Sequence, residues 1–375
     1  MCRGSRTATA PLPDSSDMTT AAQHPTPVRI SSPADLLGVV PSMLGFHPAH
    51  SVVLVCLAGP RRRSMLTMRA DLPDRTHLVL ACRELAERAA GAGTDAVMVV
   101  VYDAVRGRSA PLPHRRLVRR LCRALDHCGI EVVDVVLRGN ERWWSYLCTN
   151  TSCCPPEGTP LPPEPTPAAL RFQAEAVAKG GRVWPDREHL AASVAAPDAD
   201  QAAALLPVHE RVRSELVERA ATGAADDVGN DTVALLHDLH VRYRDGSDRV
   251  TAEESARLAL GLADVQVRDA VLVWGGGAHP GALLSVLLDA VRQTIAPTDA
   301  PLCTTLAWVA YQAGDGALAQ CALDRALESD PEYHLAVLLR AGLDRGVPPS
   351  ALAQASLASA LDGDHGDAMP SDDYR

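Results

Sequence analysis

The sequence predicts an α/β fold: an N-terminal mixed sheet with helices on both faces, followed by an all-α C-terminal domain containing one TPR-like (tetratricopeptide-like) helical hairpin. Three observations carry this expectation. Between Val28 and Cys148, apolar runs of strand length alternate with segments of helical periodicity. Residues 155–167 then hold seven prolines and no apolar periodicity. Beyond them, nearly every segment repeats its apolar residues at helical spacing. The length of 375 residues suits two cores, because a single core rarely grows past about 250 residues.

Taken in order, Pro33–Leu44 reads as a helix with Ser32 as its N-cap, Leu36, Leu37, Val40 and Leu44 on one side, and Gly45 as its stop. Ser51–Leu57 is an apolar run of strand length, Gly59-Pro60 with three arginines makes a turn, and Ser64–Ala70 alternates as a half-exposed strand does. These two strands are expected to pair as a hairpin. Leu78, Cys82, Leu85 and Ala89 define a helical face closed by Gly91 and Gly93. Ala96–Tyr102 is apolar throughout, as a strand buried on both faces is. Helix 114–128 sets Leu117, Val118, Leu121, Cys122 and Leu125 against a face of Arg115, Arg116, Arg119, Arg120 and Arg123. Val132–Leu137 is the next strand, Gly139-Asn140 supplies turn chemistry, and Arg142–Leu147 returns beside it.

The α/β domain is therefore assigned to 27–154, a Pro-rich linker to 155–167 and the all-α domain to 168–361. Residues 1–26 and the acidic tail 362–375 are expected to be disordered, and Met18 is a candidate alternative start. Helices are expected at 167–179, 199–221, 230–243, 251–273, 281–295, 301–313, 316–328, 333–343 and 349–361. Within 301–331, Leu306, Ala307, Gly314-Asp315, Ala319, Leu323, Ala326 and Asp330-Pro331 follow the spacing of the TPR repeat. The match is solitary, and one repeat cannot build a solenoid groove, so the hairpin is expected to serve packing, with partner binding as the alternative.

Composition narrows the function classes. The net charge is −10, which argues against a chain built to coat nucleic acid, because phosphate binding needs a cationic surface. No window reaches the roughly 18–20 uninterrupted apolar residues of a membrane span, and the N-terminus lacks the apolar h-region of a secretory signal. A cytoplasmic protein is the expectation, and its ten cysteines are then reduced thiols. Cys56, Cys82, Cys122, Cys303 and Cys321 sit among apolar residues and read as small core hydrophobes. Of the 36 basic residues only Lys179 is a lysine, a bias that points to codon usage and not to mechanism.

Aromatics make up only 3% of the chain, yet residues 142–154 contain Trp143, Trp144 and Tyr146 beside Arg142, followed by Cys148, Cys153 and Cys154. Strand alternation puts Trp143 and Ser145 on one face and Trp144 and Tyr146 on the other, so that one tryptophan is core and its neighbour is left for binding; the competing reading plugs both into a domain junction. The three cysteines have the chemistry of a zinc site, but structural zinc takes four ligands and adjacent cysteines seldom both reach one ion. His47 or His50 could complete it from another loop, and His47 could also serve as the base for Cys148 or Cys153 as a nucleophile. These histidines lie in the loop Gly45–Ser51, which also carries Phe46 and leads into a buried strand. The arginine face of helix 114–128 reads as a solvated surface in an acidic protein. His237, Asp238 and His240 lack the spacing of a zinc-protease helix, and Gly275-Gly276-Gly277 lacks the lysine of a P-loop.

The segments Ser31–Leu37, Val40–Pro48, Ser51–Val53, Arg69–Pro73, Arg142–Cys148 and Cys153–Gly158 resemble an actinobacterial family known as domain of unknown function 4192, over about residues 27–345. The resemblance implies no activity; it marks Phe46, His47, Trp143, Trp144 and the cysteines as shared features. The resulting expectation is a binding or regulatory module for a protein or a small ligand, without nucleic acid or membrane as partner. No cofactor is identified, and zinc is the one metal the residues would suit. The rival expectation is an enzyme or zinc protein with its site between Gly45–Ser51 and Arg142–Cys154. An enzyme should show a deep polar pocket where these segments converge, and a binding module an exposed aromatic patch.

Overall fold

The structure, a computed structural model, describes residues 28–105, 112–223, 225–246, 249–275, 277, 279–352 and 354. The expected disordered ends, 1–26 and 362–375, and most of the helix expected at 349–361 lie outside them.

Helix α1 (Pro33–Leu44) begins where Ser32 accepts a hydrogen bond from the Asp35 amide and ends at Gly45, whose φ of 74° only glycine adopts without strain. Strands β1 (Ser51–Ala58) and β2 (Arg63–Asp71) form the expected hairpin. Then come α2 (Leu78–Gly91), β3 (Ala96–Tyr102), α3 (Arg115–His127) and β4 (Glu131–Arg138). Strand β5 (Arg142–Ser145) pairs antiparallel with β4 and is shorter than expected. The Pro-rich tract starts inside the sheet, because Thr159–Pro160 adds strand β6 beside β5.

Strand order is β2-β1-β3-β4-β5-β6, and only β3 and β4 run parallel, joined by the crossover helix α3. The sheet is mixed, as expected. Strand alternation sends Val52, Leu54 and Cys56 of β1 to the side covered by α2 and α3, where they meet Cys82, Leu85, Leu117 and Leu121. Val53, Val55 and Leu57 point the other way, into an apolar cluster that continues through α1 into the helical half. Covering both faces explains why β1 and β3 read as nearly unbroken apolar runs.

The helical half contains α4 (Pro167–Ala178), α5 (Arg187–Ser193), α6 (Ala199–Ala221), α7 (Ala225–Arg244), α8 (Ala252–Gly261), α9 (Val265–Trp274), α10 (Pro280–Val291), α11 (Ala300–Gln312), α12 (Gly316–Ser329) and α13 (His334–Asp344). Two differences from expectation have local causes. The helix expected at 251–273 is two helices, because the Asp264 side chain accepts hydrogen bonds from the Gln266 and Val267 amides and caps a new one. Helix α5 was not expected, since seven residues are too few to display an apolar period. None of these helices is long and apolar enough to cross a membrane.

Helices α11 and α12 form the TPR-like hairpin, and α11 is buried along Ala300–Tyr311. Its connecting Gly314-Asp315 turn is pressed against α1: a Cβ on Gly45 would lie 3.2 Å from the Asp315 carboxylate. Asp315 caps α12 by accepting a hydrogen bond from the Leu318 amide, yet burial pushes its carboxyl up to about 6. A carboxyl raised in the folded state is no burden below its unfolded value of about 4, and the penalty grows as pH rises to about 6. Asparagine caps equally well without the charge. Asp315→Asn is therefore expected to match the native protein in urea unfolding near pH 4 and to exceed it near pH 7.5. A carboxyl raised this far sets a ceiling of about 3 kcal/mol on the gain, lowered by its partial contact with solvent. Equal stability at both pH values would contradict this.

Candidate functional site

In-register pairing places Ser51, Tyr102, Arg138 and Trp143 side by side across four adjacent strands, at the carboxyl ends of β3 and β4. Paired residues project to the same face, here the face toward the helical half, where Tyr102 and Trp143 join the apolar cluster. Ser51, Tyr102 and Trp143 are 0%, 4% and 8% exposed. The Ser51 hydroxyl, the Tyr102 hydroxyl and the Trp143 Nε1 are nevertheless all buried without a hydrogen-bond partner among the described residues. Buried polar groups are seldom left so, and each orphan costs about 1–3 kcal/mol. Between the two aromatics stands Arg138, half-buried, whose guanidinium has no hydrogen bond or ion pair among the described residues. Burial raises the Tyr102 phenol, and the Arg138 charge draws it part of the way back. Partial desolvation, and then repulsion from Arg138, lower the His47 imidazole.

At the tips of the same strands Asp103 joins two histidines. His114 Nε2 lies 2.7 Å from Asp103 Oδ2, and His50 Nδ1 lies 3.1 Å from Asp103 Oδ1. His50 (φ 42°) and His114 (φ 55°) are two of the three described non-glycine residues with positive φ. Such backbones tend to gather where a site over-determines them. Burial alone would raise Asp103, but the His114 hydrogen bond, the Ala104 amide and the two imidazoles hold it below the ordinary carboxylate value. His114 is also the residue preceding α3, so this constellation sits at the carboxyl end of β3, where the chain enters the crossover helix to β4.

The aromatic segment divides differently from expectation. Trp144 is 4% exposed, so neither tryptophan forms an exposed aromatic patch, because the helical half covers Trp143 and the Gly139 turn with the Pro156–Gly158 segment covers Trp144. Trp144 donates through Nε1 to the Pro156 carbonyl at 3.2 Å and is clamped by Gly139 and Gly158, while Tyr146 donates to the Pro113 carbonyl at 2.8 Å. Arg142 donates to the Gly158 carbonyl at 2.7 Å. These three are framework. Phe46 is buried and bridges to Trp184, with the His47 amide donating to the Trp184 carbonyl at 3.1 Å. The loop Gly45–Ser51 and the start of β5 thus do come to the same end of the sheet, but around Arg138 and Asp103, which the sequence reading did not select. Asp103 and Arg138 each sit at the end of an apolar run, a position at which a crossover sheet presents its ligand groups.

Cys148, Cys153 and Cys154 lie past the other end of β5, in the turn after Ser145, and their sulfurs are all within 4.8 Å of one another. Neither His47 nor His50 belongs to this group. Hydrogen bonding from the Asn150 backbone and from Cys154 lowers the Cys148 thiol, while burial and the two neighbouring sulfurs push Cys154 up to about 12. Cys56, Cys82, Cys303 and Cys321 are buried core residues and Cys122 is half-buried. The α3 arginines are exposed. His237 and His240 pack on the Trp274 ring, and His240 bonds the His279 carbonyl, which is a structural role.

The family model described as Domain of unknown function (DUF4192) matches residues 33–350 of the chain. No curated protein and no solved structure matches it.

Proposed function

The chain belongs to the DUF4192 family, and from that premise we propose that it is a cytoplasmic binding module which holds a small oxyanion, a carboxylate or a phosphate, at the carboxyl ends of β3 and β4. The observation that carries the reading is the row of Ser51, Tyr102 and Trp143, buried donors without acceptors, around the unpaired Arg138. An oxyanion beside Arg138 would carry its countercharge and accept hydrogen bonds from its immediate neighbours Tyr102 and Trp143, while Ser51, two strands or roughly 10 Å from Arg138, lies beyond a small anion's direct reach. Its oxygens would relieve donors that otherwise weaken the fold. His47 is exposed and feels the Arg138 charge, and Asp103 holds His50 and His114 beside the row.

The test is thermal unfolding of the full chain with orthophosphate, citrate or acetate as probe. A ligand that binds only the native state raises stability by RT ln(1 + [L]/Kd), about 2.7 kcal/mol at a hundredfold excess over Kd. At least one probe should raise the midpoint in a saturable way, and Arg138→Gln should remove the rise. A midpoint unmoved by all three, or moved equally in Arg138→Gln, contradicts the reading.

An enzyme is the second reading, and one observation favours it: the His114–Asp103 contact leaves Nδ1 of His114 available as an acid or base, with its ring oriented as a catalytic histidine needs. Binding is preferred because the buried donors beside Arg138 call for an acceptor, which a histidine acting as acid or base does not supply.

A further inference from the structure

The turn that leaves β5 is organised around its three sulfurs. The Cys148 amide donates to the Ser145 hydroxyl at 3.1 Å, and the Cys153 and Cys154 amides both donate to the Asn150 carbonyl, at 3.1 and 2.8 Å. The Ser152 amide donates to the Asn150 side chain at 2.9 Å. These bonds bend the chain back on itself, so that residue 148 faces residues 153 and 154. Burial does not explain the convergence, since Cys153 is exposed and Cys148 only half-buried.

Distances speak to what the turn accommodates. Two thiolates on one tetrahedral zinc, each with a Zn–S bond of about 2.3 Å, stand about 3.8 Å apart. Cys153 and Cys154 sulfurs are 3.9 Å apart, and the widest separation in the group is within 4.8 Å. An ion would therefore draw in the third sulfur by no more than about 1 Å. A disulfide needs a separation of about 2.05 Å, so the pair is far from bonded. Adjacency of Cys153 and Cys154, an objection to a shared ion on sequence grounds, is met by this geometry.

We propose that Cys148, Cys153 and Cys154 form a trithiolate site for Zn²⁺, with its fourth position open to water or to an exogenous ligand. Three sulfurs bond the ion and up to three thiol protons pass to solvent; no electron is transferred. Among the described residues no further histidine, cysteine, aspartate or glutamate completes the group, which is why the fourth position is open. Soft thiolate donors exclude Mg²⁺ and Ca²⁺, which take oxygen ligands. Because Cys154 also packs against the main apolar cluster, the ion would fasten the exit of the sheet to the body of the protein. This site lies apart from the Arg138 row, and neither proposal depends on the other.

The test is titration of the full, reduced, chelator-treated chain with Zn²⁺ alone against a chromophoric chelator. One equivalent is expected to bind, and Co²⁺ in its place should give a thiolate charge-transfer band in the near ultraviolet. Cys153→Ser, at an exposed position, should unfold at the native temperature without metal and bind Zn²⁺ more than about tenfold more weakly. Cys148→Ser serves as the second variant with the same expectation. Absence of binding by the native chain, binding unchanged in both variants, or a Cys153–Cys154 disulfide that persists in reductant would each overturn the proposal.

Discussion

Arg325→Met is expected to destabilise the protein by about 3–5 kcal/mol, the range found when one partner of a buried ion pair is removed. Arg325 is 5% exposed and its partner Asp299 1%. The guanidinium donates to Asp299 Oδ2 at 2.9 Å, to the carbonyls of Val194, Ala195 and Val291, and to both the carbonyl and hydroxyl of Thr294. Methionine matches only its aliphatic stem, and it leaves the buried Asp299 without its countercharge, with the Ser329 hydroxyl as its remaining donor, and the carbonyls of Val194, Ala195 and Thr294 without the guanidinium. The loss is also architectural, for these bonds tie α12 to the ends of α5 and α10 and to the segment before α11. Urea unfolding at neutral pH measures it. Arg325→Lys should recover only part, because an ammonium keeps the charge but cannot span the same acceptors. A loss below about 1 kcal/mol for Arg325→Met would show that the network is not what fastens the hairpin.

Trp144→Ala is expected to cost about 3–5 kcal/mol, as large aromatic truncations in packed cores do. Trp144 fills the space between the sheet and the Pro-rich tract so closely that a Cβ on Gly158 would come within 2.4 Å of its ring. Gly158 is thus held as glycine twice over, by that contact and by a φ of 83°. The neighbouring tryptophan should behave differently. Trp144→Phe gives up the bond to the Pro156 carbonyl, whereas Trp143→Phe removes a donor that bonds nothing among the described residues. Of the two phenylalanine variants, Trp143→Phe should therefore be the more stable in urea. The reverse order would mean that the Trp143 indole N–H is satisfied in the native state.

Much of the fold was legible in the sequence because its signals are local. Ser32, Gly45 and the apolar period between them specify α1, and the doubly buried strands announce themselves as unbroken apolar runs. What the sequence could not display is register. Ser51, Tyr102, Arg138 and Trp143 are scattered over ninety-three positions and become neighbours only through three strand pairings. The tryptophans illustrate the same limit: alternation put them on opposite faces, as found, but burial of both follows from what packs on each side, the helical half over Trp143 and the Gly139 turn with the Pro156–Gly158 segment over Trp144. Arg325 escaped notice for a related reason, since an arginine among small residues on a helix reads as solvent-facing unless its distant acceptors are known. Asp103 escaped because its two histidines come from separate loops.

Occupation of the Arg138 row by an oxyanion is tested most directly at the one orphan donor that can be watched alone, the Trp143 indole N–H. In a ¹H–¹⁵N spectrum of the full chain, with Trp143 assigned by comparison with Trp143→Phe, the most effective anion of the thermal series is titrated in. The expected result is a saturable downfield shift of the Trp143 indole proton, absent in Arg138→Gln, while the Trp144 indole, already bonded to Pro156, stays in place. A Trp143 resonance that stays put at saturation, or that shifts equally in Arg138→Gln, would contradict the account.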